Sequence, residues 1–295
     1  GVLGLMRSGL CLLLRAAARP ALPIQHWIQA NGARVYLVES HAIPMVDVQI
    51  DFDAGGRRDP DTQTGLANAT AAMTSRGLLA VGGEPALDEN QLGEAWADLG
   101  AGFGGGAGSD RMSFTLRSLS DPALLQRAAH LASRQLGEPA FPEAIWQRDR
   151  QRMTAAIREA DTRPGTVAHR AFIRAVYGDH PYGREATEAS LAQIEVADMR
   201  GFYAQHVQPC RAKISIVGDV DRAQADALAA KLLARLPAGA GACPPLPVVG
   251  EVQPLSQAAV EAIAFQSAQA HVLIGQPGYR RSDPDYFPLL VGNYI

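Results

Sequence analysis

The sequence predicts an α+β layer fold, with a mixed sheet packed against several helices. Two observations indicate this class. Strand-like segments are separated by blocks of consecutive helices, and the two do not alternate regularly along the chain. The length of 295 residues and the 47% hydrophobic fraction allow one large domain or two ordinary ones, and they exclude a wholly disordered chain.

Six segments have the features of strands. The clearest is residues 46–52, where apolar and polar residues alternate with the period of a strand that buries one face. The others are residues 35–39, 112–116, 212–217, 259–265 and 271–276.

Helices are predicted for most of the remaining chain. Asp121 suits the N-cap position and Pro122 the first helical position, so one helix is expected from there to about residue 136. The other predicted helices are residues 65–76, 89–99, 143–160, 166–177, 188–206 and 221–236. Residues 100–108 are rich in glycine, which favours a flexible turn there.

The predicted organisation has four parts. Residues 1–23 form a leader, 24–236 a first domain, 237–256 a proline-rich linker, and 257–295 the start of a second domain that is cut off early. The second domain is inferred from an internal repeat. Gly-Arg-Arg-Asp-Pro-Asp at 56–61 returns as Gly-Tyr-Arg-Arg-Ser-Asp-Pro-Asp at 278–285, and both follow a predicted strand and precede a helix.

Charge and targeting signals are weak. A net charge of −3 gives no general reason to bind nucleic acid, and the sequence has no apolar run long enough to span a membrane. The leader, with Arg7, a short apolar run and small residues, resembles a signal peptide, which would place the chain in a bacterial periplasm or envelope. An amphipathic or disordered leader on a cytoplasmic protein is the alternative.

The cysteines and histidines indicate no metal or disulfide framework. Three cysteines, Cys11, Cys210 and Cys243, are widely spaced and include no Cys-x-x-Cys pair. No two of the seven histidines lie three to five residues apart, so histidine ligands at helical spacing are absent.

Three motifs in order resemble the pitrilysin/insulinase family of zinc peptidases, which includes the mitochondrial processing peptidase. They are Asp-Ala-Gly-Gly-Arg-Arg-Asp-Pro at 53–60 followed by Thr-Gly-Leu-Ala at 64–67, Tyr-Gly-Asp-His-Pro-Tyr-Gly-Arg at 177–184, and the strand-like run 214–219. The resemblance implies a half-domain of the processing-peptidase type, and family members consist of two related halves, as the repeat suggests.

The resemblance also implies where a zinc site would lie. The family carries His-x-x-Glu-His on the helix after Gly-Leu-Ala, with two zinc ligands and a general base, and the matching positions here are Asn68, Ala71 and Ala72. A later acidic ligand matches Asp149, and a supporting glutamate matches Ala156. An amide and one carboxylate do not make a zinc site, so we expect no metal, no cofactor and no catalytic residue in this chain.

Asp149 has two interpretations. It falls on an otherwise apolar helical stripe, where an unpaired carboxylate is costly. It is either a relic of the metal site, now bonded to Asn68, or a carboxylate satisfied by backbone groups or by a neighbouring arginine.

The glycine-rich segment also has two interpretations. Gly100-x-Gly102-x-x-Gly105 has the letters of a dinucleotide motif, but a helix precedes it and a strand follows, which is the reverse of that motif. By resemblance, the strand after this segment lies beside the substrate cleft, where a peptide can add as an extra strand, and Gly104, Gly105 and Gly106 would let the peptide backbone approach closely. A simple turn is the alternative.

These observations predict an inactive relative of the zinc peptidases. The expected role is the non-catalytic, peptide-binding subunit of a protease pair, with a zinc-bearing homologous subunit and a peptide as its partners. A scaffold protein without any role in proteolysis is the alternative, and an enzyme with new chemistry near Asn68 and Asp149 is a third possibility.

Overall fold

The structure is a computed structural model that describes residues 22–237 and 243–294, so the predicted leader lies almost wholly outside it. Its strands are β1 Gln25–Ile28, β2 Arg34–Glu39, β3 Met45–Phe52, β4 Gly77–Leu78, β5 Leu87–Asp88, β6 Gly102–Ala107, β7 Met112–Leu119 and β8 Lys213–Gly218. Six of them form one mixed sheet in the order β1-β2-β8-β3-β7-β6, while β4 and β5 pair separately. The α+β class is therefore confirmed.

Nine helices are described. They are α1 Leu66–Met73, α2 Glu89–Asp98, α3 Pro122–Gly137, α4 Glu143–Ala160, α5 Pro164–Tyr177, α6 Glu188–Ala192, α7 Val196–His206, α8 Arg222–Leu233 and α9 Tyr286–Gly292. Asp121 caps α3 as predicted, because its carboxylate accepts from the Leu124 amide at 3.0 Å. The single helix predicted over 188–206 is instead two helices, α6 and α7.

The core lies between one face of the sheet and the helices. The alternation in β3 buries Val46, Val48 and Ile50, and β7 places Leu116 and Phe114 opposite Val48 and Ile50. Helices α3 and α8 pack against each other and against β7 and β2, respectively. Helix α1 packs against α7 and against the edge strand β6, which brings the two predicted site regions side by side.

The prediction of a turn at residues 100–108 is wrong, because residues 102–107 form β6. Glycine has a low intrinsic preference for strands, but pairing with β7 overrides it. On the inner side of β6, Phe103 stacks on Phe114 with ring centroids 5.8 Å apart and on Trp96 at 6.0 Å.

The predicted strands at 259–265 and 271–276 do not form. Within the described residues neither segment has a strand beside it, and a strand alone cannot satisfy its backbone groups. These residues instead run along α5, where Gly275 lies against the ring of Phe172 and His271 lies against Gly165. The helix expected after the repeated Asp-Pro-Asp does form, as α9.

The cysteine prediction also needs correction. Cys210 and Cys243 are joined by a disulfide, with Cα atoms 5.7 Å apart and a sequence separation of 33. The long separation hid this pair, because cysteines so far apart carry no motif that identifies them as neighbours.

Candidate functional site

The helix at the centre of the candidate site, α1, begins at a buried carboxylate. Asp59 accepts the amides of Gly65 and Ala67, each at 2.8 Å, and so satisfies backbone donors at the start of the helix. Gly65 has a φ of +105°, a conformation that side chains other than glycine adopt at a cost, which explains the glycine of Gly-Leu-Ala. Asp59 therefore sets the position of α1.

Burial raises the pKa of Asp59 to about 6, although the amides of Gly65, Ala67 and Leu66 oppose the shift. Because the folded state then holds this proton more tightly than the unfolded chain, stability from Asp59 falls as pH rises from about 4 to about 6. The free energy of unfolding of the native chain, relative to Asp59→Asn, should fall by about 2 kcal/mol between pH 4 and pH 7. Urea unfolding of both proteins at the two pH values measures this. If the free energy of unfolding of the native chain, relative to Asp59→Asn, instead rises with pH, the amide hydrogen bonds lower the pKa of Asp59 more than burial raises it.

The residues matched to the zinc motif meet at one pocket of about 440 Å³. Asn68, Ala72, Asp149 and Ala156 all line it. Ala71 does not, because its side chain is fully buried on another side of α1. The remaining lining is Ala69, Met73, Arg76, Trp146, Arg152 and Met153.

Arginines surround Asp149 in this pocket. Its carboxylate lies 2.9 Å from Arg76 Nη2 and 3.0 Å from Arg148 Nε. Arg152 is more distant, at 3.5 Å. Among the described residues, Asn68 is not a partner of Asp149, and neighbouring arginines satisfy the carboxylate.

Glu89, at the start of α2, extends this charge cluster. It lies 2.7 Å from Arg148 and 3.3 Å from Arg76, so both arginines bridge two carboxylates. The hydrogen bond from Arg148 holds the pKa of Glu89 below its usual range. Glu89 thus stays charged and paired at neutral pH.

The residues present do not fit a zinc ion. Zinc needs three or four ligands from Cys, His, Asp or Glu side chains, and the pocket offers one amide and one carboxylate that is already bonded to cations. The guanidinium of Arg76 also brings a positive charge next to Asp149, where a metal ion would be repelled. Within residues 22–237 and 243–294 no group of three His, Cys, Asp or Glu side chains could hold a metal.

Arg76 is the site residue that sequence reasoning missed. It follows Asn68 and Ala72 at successive intervals of four residues, so all three lie along the same side of α1 and its C-terminal extension. That spacing was a usable signal, but the family motif ends at Ala72 and directs attention away from the next turn.

The edge strand β6 is the second part of the site. Within the described chain it pairs only with β7, so its outer edge leaves backbone groups free. A Cβ atom built on Gly104 or Gly106 would meet nothing within 4 Å, whereas one on Gly105 would lie 2.6 Å from the Phe114 ring. Gly104 and Gly106 therefore leave open space, and Gly105 makes room for a core aromatic residue.

Comparison with known proteins identifies the same family. Residues 193–295 match the family model described as the peptidase M16 inactive domain. A peptidase M16 inactive domain from Pseudomonas fluorescens superposes with a TM-score of 0.71 and 31% identity, over 79% of this chain and 54% of that one. Pitrilysin is also among the matching structures. These matches confirm the resemblance to the pitrilysin/insulinase family.

Two further relatives extend the comparison. The first half of the periplasmic protease PqqL from Escherichia coli matches with a TM-score of 0.66 and 19% identity, over 81% of this chain and 51% of that one. An uncharacterized zinc protease of Streptomyces coelicolor is 27% identical over 124 residues, which are 41% of this chain and 27% of that protein. The chain thus spans about half, or less, of the relatives that it matches.

Proposed function

Starting from its relationship to the M16 peptidases, we propose that this chain is a non-catalytic, peptide-binding member of a zinc protease pair. The observation that carries the proposal is the ion pair between Arg76 and Asp149. Where a relative would hold zinc between two histidines and an acidic residue, this chain has a guanidinium bound to the carboxylate. At these positions a salt bridge stands in place of metal ligands.

Peptide binding is the activity that the remaining features support. The free edge of β6 can accept an extended peptide as an added strand, with main-chain hydrogen bonds supplying affinity. Gly104 and Gly106 leave the space beside that edge open to the side chains of a bound segment. Because β6 packs against α1, a bound peptide would pass close to the Asn68 end of the pocket.

The first test measures metal content and peptidase activity of the purified full chain. We expect substoichiometric zinc by elemental analysis and no cleavage of a mixed peptide substrate. Addition of an M16 relative from the same genome that carries His-x-x-Glu-His should give chelator-sensitive cleavage above that of the relative alone. Stoichiometric zinc in this chain, or chelator-sensitive cleavage by it alone, would contradict the proposal.

A pair of variants tests the binding edge within the same assay. Gly104→Val places a side chain in open space, so it should leave the unfolding midpoint nearly unchanged and weaken peptide binding about 10-fold or more. Gly105→Val is the matched control, since its side chain would clash with the ring of Phe114 and should destabilise the fold by about 1–3 kcal/mol. Unchanged peptide binding and unchanged stimulation with Gly104→Val would favour the alternative of a scaffold protein.

We also propose that the protein works in a bacterial cell envelope. The leader resembles a signal peptide, and a disulfide such as Cys210–Cys243 persists in oxidising compartments. Among the described residues, no helix is both long enough and apolar enough to cross a bilayer. Fractionation of cells that express the full gene tests the location, and recovery with cytoplasmic markers would refute it.

A further inference from the structure

We propose that the Cys210–Cys243 disulfide forms in an oxidising compartment and fastens the linker segment 243–251 across the two loops that carry the family motifs. This inference does not depend on whether the chain is catalytic. The two Cα atoms lie 5.7 Å apart, which is within the range that a disulfide requires. Cys210 belongs to a short turn, Pro209–Arg211, between α7 and β8, so one end of the bond is held by the folded domain.

The residues next to both cysteines support the same pairing. Arg211 Nη2 donates to the carbonyl of Pro244 at 2.7 Å, so the residue after each cysteine is bonded to the residue after the other. Gly32, with a φ of +88°, lies against Cys210, and a Cβ atom there would be 3.1 Å from the Cys210 Cα. Both cysteines are half-buried, which leaves them accessible to a reagent while the chain holds them together.

The motif loops hold the next part of the linker by its backbone. Arg58 donates to the carbonyl of Pro247, and His180 Nε2 lies 2.9 Å from the carbonyl of Gly250. Arg58 is itself fixed, because its Nη2 lies 2.6 Å from Asp53 Oδ2 and its side chain is 9% exposed. Residues from the motifs at 53–60 and 177–184 thus meet at the linker.

The covalent step follows ordinary thiol–disulfide chemistry. The Cys210 and Cys243 thiols each lose a proton, two electrons leave the pair, and an S–S bond forms. The oxidant accepts these electrons and protons, so that its own disulfide becomes a dithiol. We assign the oxidant to the class of thiol–disulfide oxidoreductases. The product closes a ring that contains β8 and α8, so everything after residue 243 is anchored at that residue and not at the end of α8.

The chain offers a direct assay because its two lysines, Lys213 and Lys231, both lie inside this ring. The full chain is exported to the periplasm of a bacterial host, treated with an alkylating agent, denatured and digested with a lysine-specific protease. Fragments 1–213 and 232–295 should stay joined without reductant and separate with it. Separate fragments without reductant would overturn the proposal.

For protein that keeps the leader, Cys11→Ser is the matched control, since Cys11 then lies in the same fragment as Cys210. The fragments should remain joined in Cys11→Ser and come apart in Cys243→Ser. Loss of the joined product in Cys11→Ser would show that Cys243 pairs with Cys11, which also overturns the assignment.

A second measurement tests the fastening in the folded protein. Reduction of the native chain should speed cleavage by a glutamate-specific protease after Glu251 several-fold, because the linker is then held only by non-covalent contacts. Cleavage after Glu159, at the end of α4, should not change. An equal rate after Glu251 in both redox states would show that the disulfide does not restrain the linker.

Discussion

Zinc binding should return to this scaffold only when the guanidinium of Arg76 is removed as well. The double variant Asn68→His, Ala72→His places two imidazoles one helical turn apart at exposed positions, facing Asp149 across the pocket. In that background Arg76→Gln should tighten zinc binding about 10- to 100-fold, since it frees the carboxylate and removes a positive charge. Competition with a chromophoric chelator measures the affinity.

Arg148→Gln in the same double variant is the matched control. Arg148 also bonds to Asp149, at 3.0 Å, but it does not line the pocket. Arg148→Gln should therefore improve zinc binding much less than Arg76→Gln. Equal effects would indicate a general charge effect, and tight zinc binding with Arg76 intact would contradict its assignment as the blocking residue. Ala71→Glu is omitted because Ala71 is fully buried, and a carboxylate there would destabilise α1.

Replacement of Arg134 should cause a large loss of stability. Its side chain is 6% exposed, and its Nε lies 3.1 Å from both Glu138 and Glu84. Nη2 donates to the carbonyls of Leu79 and Pro85 at 2.8 and 2.9 Å, which ties the end of α3 to the connection between β4 and β5. Arg134→Ala should lower the free energy of unfolding by about 3–5 kcal/mol, because Glu138 stays buried with one of its cations gone.

An exposed arginine gives the comparison for this effect. Arg117 pairs with Asp47 at 2.6 Å but is 68% exposed, so Arg117→Ala should cost less than about 1 kcal/mol. Urea denaturation of both variants measures the difference. Similar losses would show that the buried cluster at Arg134 is not a major support of the fold, and that Arg235 alone is sufficient to neutralise Glu138.

Elements whose conformation is set by residues close in sequence could be predicted, whereas elements that depend on a distant partner could not. The strands β3 and β7 were predictable because alternation is recorded in the sequence itself, and α3 because Asp121 and Pro122 mark its start. Strand β6 was missed, since glycine carries no strand signal and the partner strand β7 decides its conformation. The segments 259–265 and 271–276 have a strand-like composition but no neighbour to pair with in the described residues.

The site shows the same limit. The family resemblance was enough to assign Asn68, Ala72 and Asp149 to one site, and all three line the same pocket. It did not show that Arg76 reaches Asp149, because that contact joins two helices far apart in sequence. The disulfide and the linker contacts were out of reach for the same reason, since Cys210 and Cys243 become neighbours only when the chain folds.

The strand order of the sheet has a consequence for biosynthesis. β2 and β3 are consecutive in the chain but do not pair, since β8 lies between them, parallel to β2 and antiparallel to β3. The sheet therefore cannot close until the ribosome has released residues 213–218, and β2 and β3 present unpaired edges until then. Synthesis of this part of the chain thus includes an interval in which the edges of β2 and β3 that later pair with β8 stay exposed.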